Sequence, residues 1–165
     1  MRRGRRGNTV LELAMFMPVL LLLLVGMVQL GKITYVYYTL KKSLYAAATF
    51  LSTQQGVNFC DDADPSIAAA KEFALTGTTD GSAPPIIPNL TADQIQVQTE
   101  CINPGTQGPG TCVFTCDTTA AAGAQKPDFI IVSIPDGYPV APRFPFIPVD
   151  PIPLKPQIRV PYGGT

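Results

Sequence analysis

Hydrophobic positions are spread very unevenly along the chain. From Leu13 to Gly31 they run almost without interruption, with Gln29 as the one strongly polar member. At the rise of an α-helix this stretch covers roughly 28 Å, about the hydrocarbon thickness of a bilayer. Beyond it the pattern becomes periodic. Ile33, Val36, Tyr37, Leu40, Leu44, Ala47 and Leu51 recur at steps of three and four and form one stripe, with Lys32, Lys41, Lys42 and Ser43 assigned to the opposite face. Tyr35, Tyr37 and Tyr38 fall where the chain leaves the apolar run, as in an interfacial aromatic belt. One continuous helix from about Thr9 to Thr53 is predicted, with Pro18 as the site of a kink or a freed carbonyl.

After Thr53 the periodicities shorten. Asp64 to Leu75 reads as a short helix: Asp64 as N-cap, Pro65 in the first turn, Gly77 as terminator, and Ile67, Ala70, Phe73 and Ala74 as the buried face. Gly81 to Pro88 reads as a loop. Gln94 to Glu100 alternates as a half-buried strand with Ile95, Val97 and Thr99 inward. Asn103 to Gly110 reads as a hairpin loop and Thr111 to Cys116 as the returning strand. Phe129 to Ile134, bounded by prolines, is the strongest strand signal, and Gln157 to Val160 is its expected partner. Pro139, Pro142, Pro145, Pro148 and Pro151 recur every three residues, the period of polyproline II, and predict an extended rod of about 40 Å. Two uses compete for it. It is a docking ligand for an aromatic groove, or a strap whose Phe144, Phe146 and Ile152 pack inward, and the strap is preferred. The expected architecture is α+β: a long N-terminal transmembrane helix carrying a small Pro-rich distal domain of one short helix and a small antiparallel sheet. The divisions are 1–7 (basic leader), 8–54 (long helix, 13–31 in the membrane and 32–53 amphipathic) and 55–165 (distal domain, with the Pro-rich strap at 135–156).

Charge sharpens this picture. The 12 basic and 12 acidic residues cancel formally. Yet Arg2, Arg3, Arg5 and Arg6 crowd the tip, leaving an acidic excess beyond them, and a basic flank beside an apolar span marks the cytoplasmic side. The arginines form one short run with no basic patch elsewhere, which argues against nucleic-acid binding. A cleavable secretory signal has a shorter core and an earlier small-residue site than Ala46-Ala47-Ala48, so the segment is expected to stay as an anchor.

Chemistry-bearing residues are few. The chain has no His, and no Gly-x-Ser-x-Gly, phosphate-loop or H-E-x-x-H pattern occurs, so neither an enzyme nor a small-molecule substrate nor a cofactor is expected. Asp61, Asp62 and Asp64 lack the ligand spacing of an EF-hand and read as a solvated capping cluster, so no metal is expected. Asn89-Leu90-Thr91 reads as a chance sequon. Cys60, Cys101, Cys112 and Cys116 all follow the apolar stretch and suggest one or two disulfides in an oxidising compartment. The hairpin register would set Cys101 against Cys112 and leave Cys60 with Cys116, one of three connectivities, and reduced thiols remain open. Glu12 sits at the edge of the apolar span, where a carboxylate is costly unless paired. It either reaches back to the interface or meets the new amino group of Asn8 after a peptidase cuts behind Gly7.

The run Arg5-Arg6-Gly7-Asn8-Thr9-Val10-Leu11-Glu12-Leu13-Ala14, followed by Met17-Pro18-Val19-Leu20 and the leucines to Gly26, resembles the start of TadE-like pilins. These are minor pilin-like proteins of the tight-adherence (type IVb, Flp) pilus system. The likeness covers residues 5 to about 50. It implies cleavage between Gly7 and Asn8 by a prepilin peptidase, and it makes Glu12 the fifth residue of the mature chain. It further implies partnership with other pilin subunits, the assembly machinery and membrane lipid, and a place in the bacterial cytoplasmic membrane or an extracellular filament, with a role in adhesion or secretion. The competing expectation is a permanent single-pass inner-membrane component of an envelope or secretion complex. A membrane-tethered adhesin module is a remoter one.

Overall fold

In the computed structural model, residues 4–102, 109–111, 117–119, 126–144 and 148–163 are described, with the side chains of residues 4–10 and 109–111 outside that description. The chain opens with α1, Gly4–Thr53, a single helix of 50 residues and about 75 Å. It begins before the expected leader boundary and runs through Pro18, whose missing N–H leaves the Ala14 carbonyl without its intrahelical donor.

The far end of α1 is where the distal domain takes its core. Leu40, Leu44, Ala47, Ala48 and Leu51 are buried against α2 and the sheet, so the expected stripe is the packing face. Ser43 is buried too, rather than on the solvent side, because a small side chain four residues from Ala47 fits where a lysine would not. The last carbonyls of α1 have no intrahelical donors. The C-terminal segment supplies one of them, the Gly163 amide donating to the Ser52 carbonyl at 3.0 Å, and the Tyr162 hydroxyl donates to the Gln54 carbonyl just past the helix end at 2.7 Å. Tyr162 also meets Phe59 edge to face, with ring centroids 5.9 Å apart.

Helix α2, Pro65–Thr76, forms as its caps dictate. Asp64 accepts from the Ser66 amide at 2.8 Å and the Asn58 amide at 2.9 Å, and Gly77 ends the helix in the left-handed region at φ 79°. Ile67, Ala70 and Ala74 face inward with Leu75 and the stem of Lys71, whose ammonium reaches Asp62 at 3.2 Å. Phe73 is half-buried, with its ring centroid 5.9 Å from that of Phe50.

A 3₁₀ turn, Ala92–Gln94, precedes β1, Gln96–Ile102, so Gln94 belongs to the turn rather than the strand. The sheet is antiparallel in the order β2-β1-β3-β6, with β2 at Pro109–Thr111, β3 at Phe129–Ser133 and β6 at Gln157–Pro161. Two cross-strand rows, Val97–Val132–Ile158 and Thr99–Ile130–Val160, face α1. On the outer face Arg159 ion-pairs with Glu100, and its guanidinium lies 3.5 Å from the centre of the Phe129 ring.

Two expectations are corrected here. Pro109 and Gly110 belong to β2, and Cys101 pairs with Gly110, so the direct facing of Cys101 and Cys112 does not hold in this register. Loop length sets a hairpin's register, and the loop is two residues shorter than expected at its returning end. Residues 103–108 and 112–116, with Cys112 and Cys116, lie outside the described residues.

The proline-rich segment does not run as a rod either. Tyr138–Val140 forms β4 and Ile152–Leu154 forms β5, and the two pair antiparallel with Pro139 opposite Pro153. Facing prolines forfeit no ladder bond at a non-hydrogen-bonded pair, so the period of three is compatible with a fold-back. Ile152 is exposed instead of packing inward, Phe144 is half-buried, and Pro145 and Phe146 lie outside the described residues. Gly137 leads into β4 at φ 83°, with Pro153 so close that a Cβ there would stand 2.8 Å from its ring.

Candidate functional site

The first half of α1 is an apolar rod with no cover of its own. Leu13, Phe16, Leu20, Leu24 and Met27 are each more than half exposed. Water is a poor environment for such a surface, at about 25 cal/mol per Å² of apolar area. A bilayer or neighbouring helices have to take its place. Gly7 and Asn8 lie within the first turns of the same helix. Asn8 and Glu12 are four residues apart, one above the other on one face. Glu12 is exposed, facing whatever surrounds the rod.

The second half is the reverse: its apolar face is the core of the domain. The changeover is marked by a contact that no local pattern announces. The Gln29 side-chain amide donates to the Arg143 carbonyl at 2.8 Å, across 114 positions of sequence. Gln29, Ile33 and Val36 are half-buried, Val36 against the domain core, whereas residues 11–24 are exposed throughout. The one signal for this in the sequence is Gln29 itself, a lone amide in an otherwise apolar run.

The acidic cluster has turn-making work: Asp61 accepts from the Ala63 amide at 2.9 Å, Asp62 pairs with Lys71, and Asp64 caps α2. Cys60 and Cys101 stand in separate parts of the domain, on the segment after α1 and at the end of β1, and neither has a free thiol. The Asn58–Asp117 bridge, backed by the Thr118 amide and hydroxyl on the Val57 carbonyl at 3.0 and 2.8 Å, ties the segment of Cys60 to the chain that follows Cys116.

Residues 7–49 match the TadE-like protein family. The matched range is the helix alone, opening at Gly7 and closing two residues short of Leu51, so the TadE-like part of the chain is the rod and its packing stripe. No curated protein and no solved structure matches the chain. The match supports a component associated with the Tad pilus. With the one long apolar helix found among the described residues, it points to membrane anchoring.

Proposed function

We propose that the protein is a minor, pseudopilin-type subunit of a tight-adherence pilus. It waits as a single-pass protein of the bacterial cytoplasmic membrane, with its N-terminus inside, and enters or primes a filament. What carries this reading is α1: one uninterrupted helix whose first half is bare and apolar and whose second half is the core of a folded domain. Such a part can exchange a lipid shell for sister helices without unfolding. A prepilin peptidase cuts behind Gly7, and the range of the TadE-like match, which opens at that residue, supports this position. The freed amino group of Asn8 then lies one turn from Glu12, in this chain or a neighbour. Pairing offsets the desolvation that either charge suffers alone in an apolar surround. No reaction is assigned to the protein itself. Its work is positional, and adhesion or secretion is the outcome of the assembled structure.

Gly7→Leu tests the reading. The variant is expected to accumulate as full-length precursor and to leave cells without pili that contain the subunit. Normal processing and piliation in that variant would remove the proposal. N-terminal sequencing of the native protein decides against the permanent-anchor alternative if Asn8 is first, and for it if the arginine tip is retained.

A further inference from the structure

The contact between Gln29 and Arg143 fixes where the domain stands relative to a bilayer. On the membrane reading of α1, on which this inference rests, the apolar span ends at Gly31. Gln29 then lies about 3 Å inside that end. The backbone of residue 143 is bonded to Gln29, so the loop Ala141–Phe144 is held at the same depth. On the open side of the helix, Tyr35 and Tyr38 are 73% and 65% exposed and mark the interfacial layer independently. A domain held by Gln29 on one side and flanked by these tyrosines on the other stands in the headgroup layer, not above it on a stalk.

The loop has the composition such a position demands. Pro142 is buried and anchors it, Phe144 is half-buried, and Arg143 is exposed between them. Among the described residues no carboxylate pairs with Arg143, whereas Lys71 and Arg159 each have one. Lys32, also exposed and three residues after Gln29, adds a second cation at that level of the helix. A guanidinium on an apolar loop, with no acid of its own, suits a phosphate diester, which it can grip through two parallel N–H bonds. We infer that the Ala141–Phe144 loop is a second membrane contact, in which Phe144 enters the interfacial layer while Arg143, with Lys32, binds the phosphates of anionic phospholipid headgroups.

The chain contains no Trp, so a single introduced indole reports one place. The full-length chain is reconstituted into vesicles of phosphatidylcholine with one quarter phosphatidylglycerol, carrying bromine near the top of the acyl chains. Phe144→Trp is the loop reporter, and Ala141→Trp, at an exposed position, is a second one that leaves the phenylalanine in place. Leu22→Trp reports the span and Ile102→Trp, at the exposed end of β1, reports the far side of the domain. Bromolipid is expected to quench both loop reporters at least half as strongly as the Leu22 reporter and to leave the Ile102 reporter unaffected. Adding Arg143→Glu is expected to cut the loop quenching at least twofold, and replacing phosphatidylglycerol by phosphatidylcholine to act in the same direction. Loop reporters that behave like Ile102→Trp, while Leu22→Trp is quenched, overturn the inference and leave the membrane span standing. An unquenched Leu22 reporter overturns the span as well. Loop quenching that ignores both Arg143→Glu and the lipid change overturns the headgroup assignment.

Discussion

If the second half of α1 is the core of the domain and the first half only a rod in search of a surround, the same mutation should have opposite consequences in the two halves. Leu44 and Leu22 are the pair to compare. Leu44 is 0% exposed, enclosed by α2 and the sheet, and Leu22 is 52% exposed on the open rod. Truncating Leu44 to Ala removes about three methylene equivalents from a packed site. At about 0.8 kcal/mol each this loses roughly 2.4 kcal/mol of transfer energy. The cavity term raises the total to about 3–4 kcal/mol, since helix and sheet close incompletely around the gap. Leu22→Ala removes the same atoms from a side chain that stays in detergent before and after the domain unfolds, so the change should stay within about 0.5 kcal/mol. Helix propensity does not confuse the comparison, because Ala is at least as good a helix former as Leu. The assay is urea unfolding of the full chain in non-ionic micelles, followed by tyrosine fluorescence, to which Tyr162 at the end of the core contributes. Leu44→Ala should also melt about 12 °C or more below the parent, taking the low end of the usual scaling for a domain of this size. A Leu44→Ala protein within 1 kcal/mol of the parent would show that the domain does not depend on α1 for its core, and the description of the helix as one part with two roles would fall.

Other predictions follow from single contacts. Glu12→Ala should leave processing behind Gly7 intact yet abolish co-purification with the filament, because an unpaired ammonium in an apolar bundle costs about 3–5 kcal/mol; co-purification at the parental level contradicts the pairing. Gln29→Leu should loosen the 141–144 loop by about 1 kcal/mol through the orphaned carbonyl of Arg143, read as faster amide exchange there, and unchanged exchange would count against the latch. Gly137→Ala should destabilise the domain by about 2 kcal/mol or more in the same urea titration, given φ 83° and the 2.8 Å approach of Pro153; a neutral result would mean that the turn can rearrange. Non-reducing mass spectrometry should find Cys60 bridged to Cys116, because the Asn58–Asp117 bridge brings their segments together; a free thiol at Cys60, or another partner for it, would refute the bond. Asp80 and Asp117 should titrate below the ordinary 3.8, Asp80 held down first by the Ser82 amide and then its hydroxyl, Asp117 first by the Thr119 hydroxyl and then its amide. With the folded values below the unfolded ones, this stabilisation is present above 3.8 and lost as pH falls through the folded values, and carboxyl NMR titrations showing no depression would contradict it.

Elements whose cause is local were legible in the sequence. The long helix announces itself by an apolar run that passes into a 3.6-residue stripe, and α2 by an aspartate, a proline and a glycine at the right offsets. Strands β3 and β6 are dense in β-branched residues between prolines, and their pairing follows from having nowhere else to bury two apolar faces. What escaped was set by tertiary pairing. A proline every third residue fixes φ along Pro139–Pro151 but says nothing about which segment lies opposite, and β4 and β5 chose each other. The β1–β2 register depends on where the loop turns, and Pro109 and Gly110, read as loop, were recruited into the strand. The Gln29–Arg143 contact joins residues too far apart for any periodicity to link. At the candidate site, Gly7, Asn8 and Glu12 were singled out from their spacing, and the structure sets all three on α1, whereas the attachment of the Ala141–Phe144 loop to that helix was not anticipated.

The two halves of α1 constrain how the protein can move. Because Leu40, Leu44 and Leu51 are locked between α2 and the sheet, and the carbonyls of Ser52 and Gln54 at the helix end are held by Gly163 and Tyr162, the domain cannot slide along the rod without losing its core. Gln29 extends the attachment of the domain down the helix to within two residues of the apolar run's end at Gly31. A force applied to the domain therefore reaches the apolar segment directly, with no flexible linker to absorb it. A subunit drawn from a bilayer has to move as one piece, and the cost lies in the exposed residues from Leu11 to Leu24 rather than in any unfolding of the domain. Those residues are also the ones a neighbouring helix can cover. On the proposed function, extraction and lateral packing would be one exchange of surface, and the carboxylate of Glu12 would be the group that decides where along a neighbour the exchange stops.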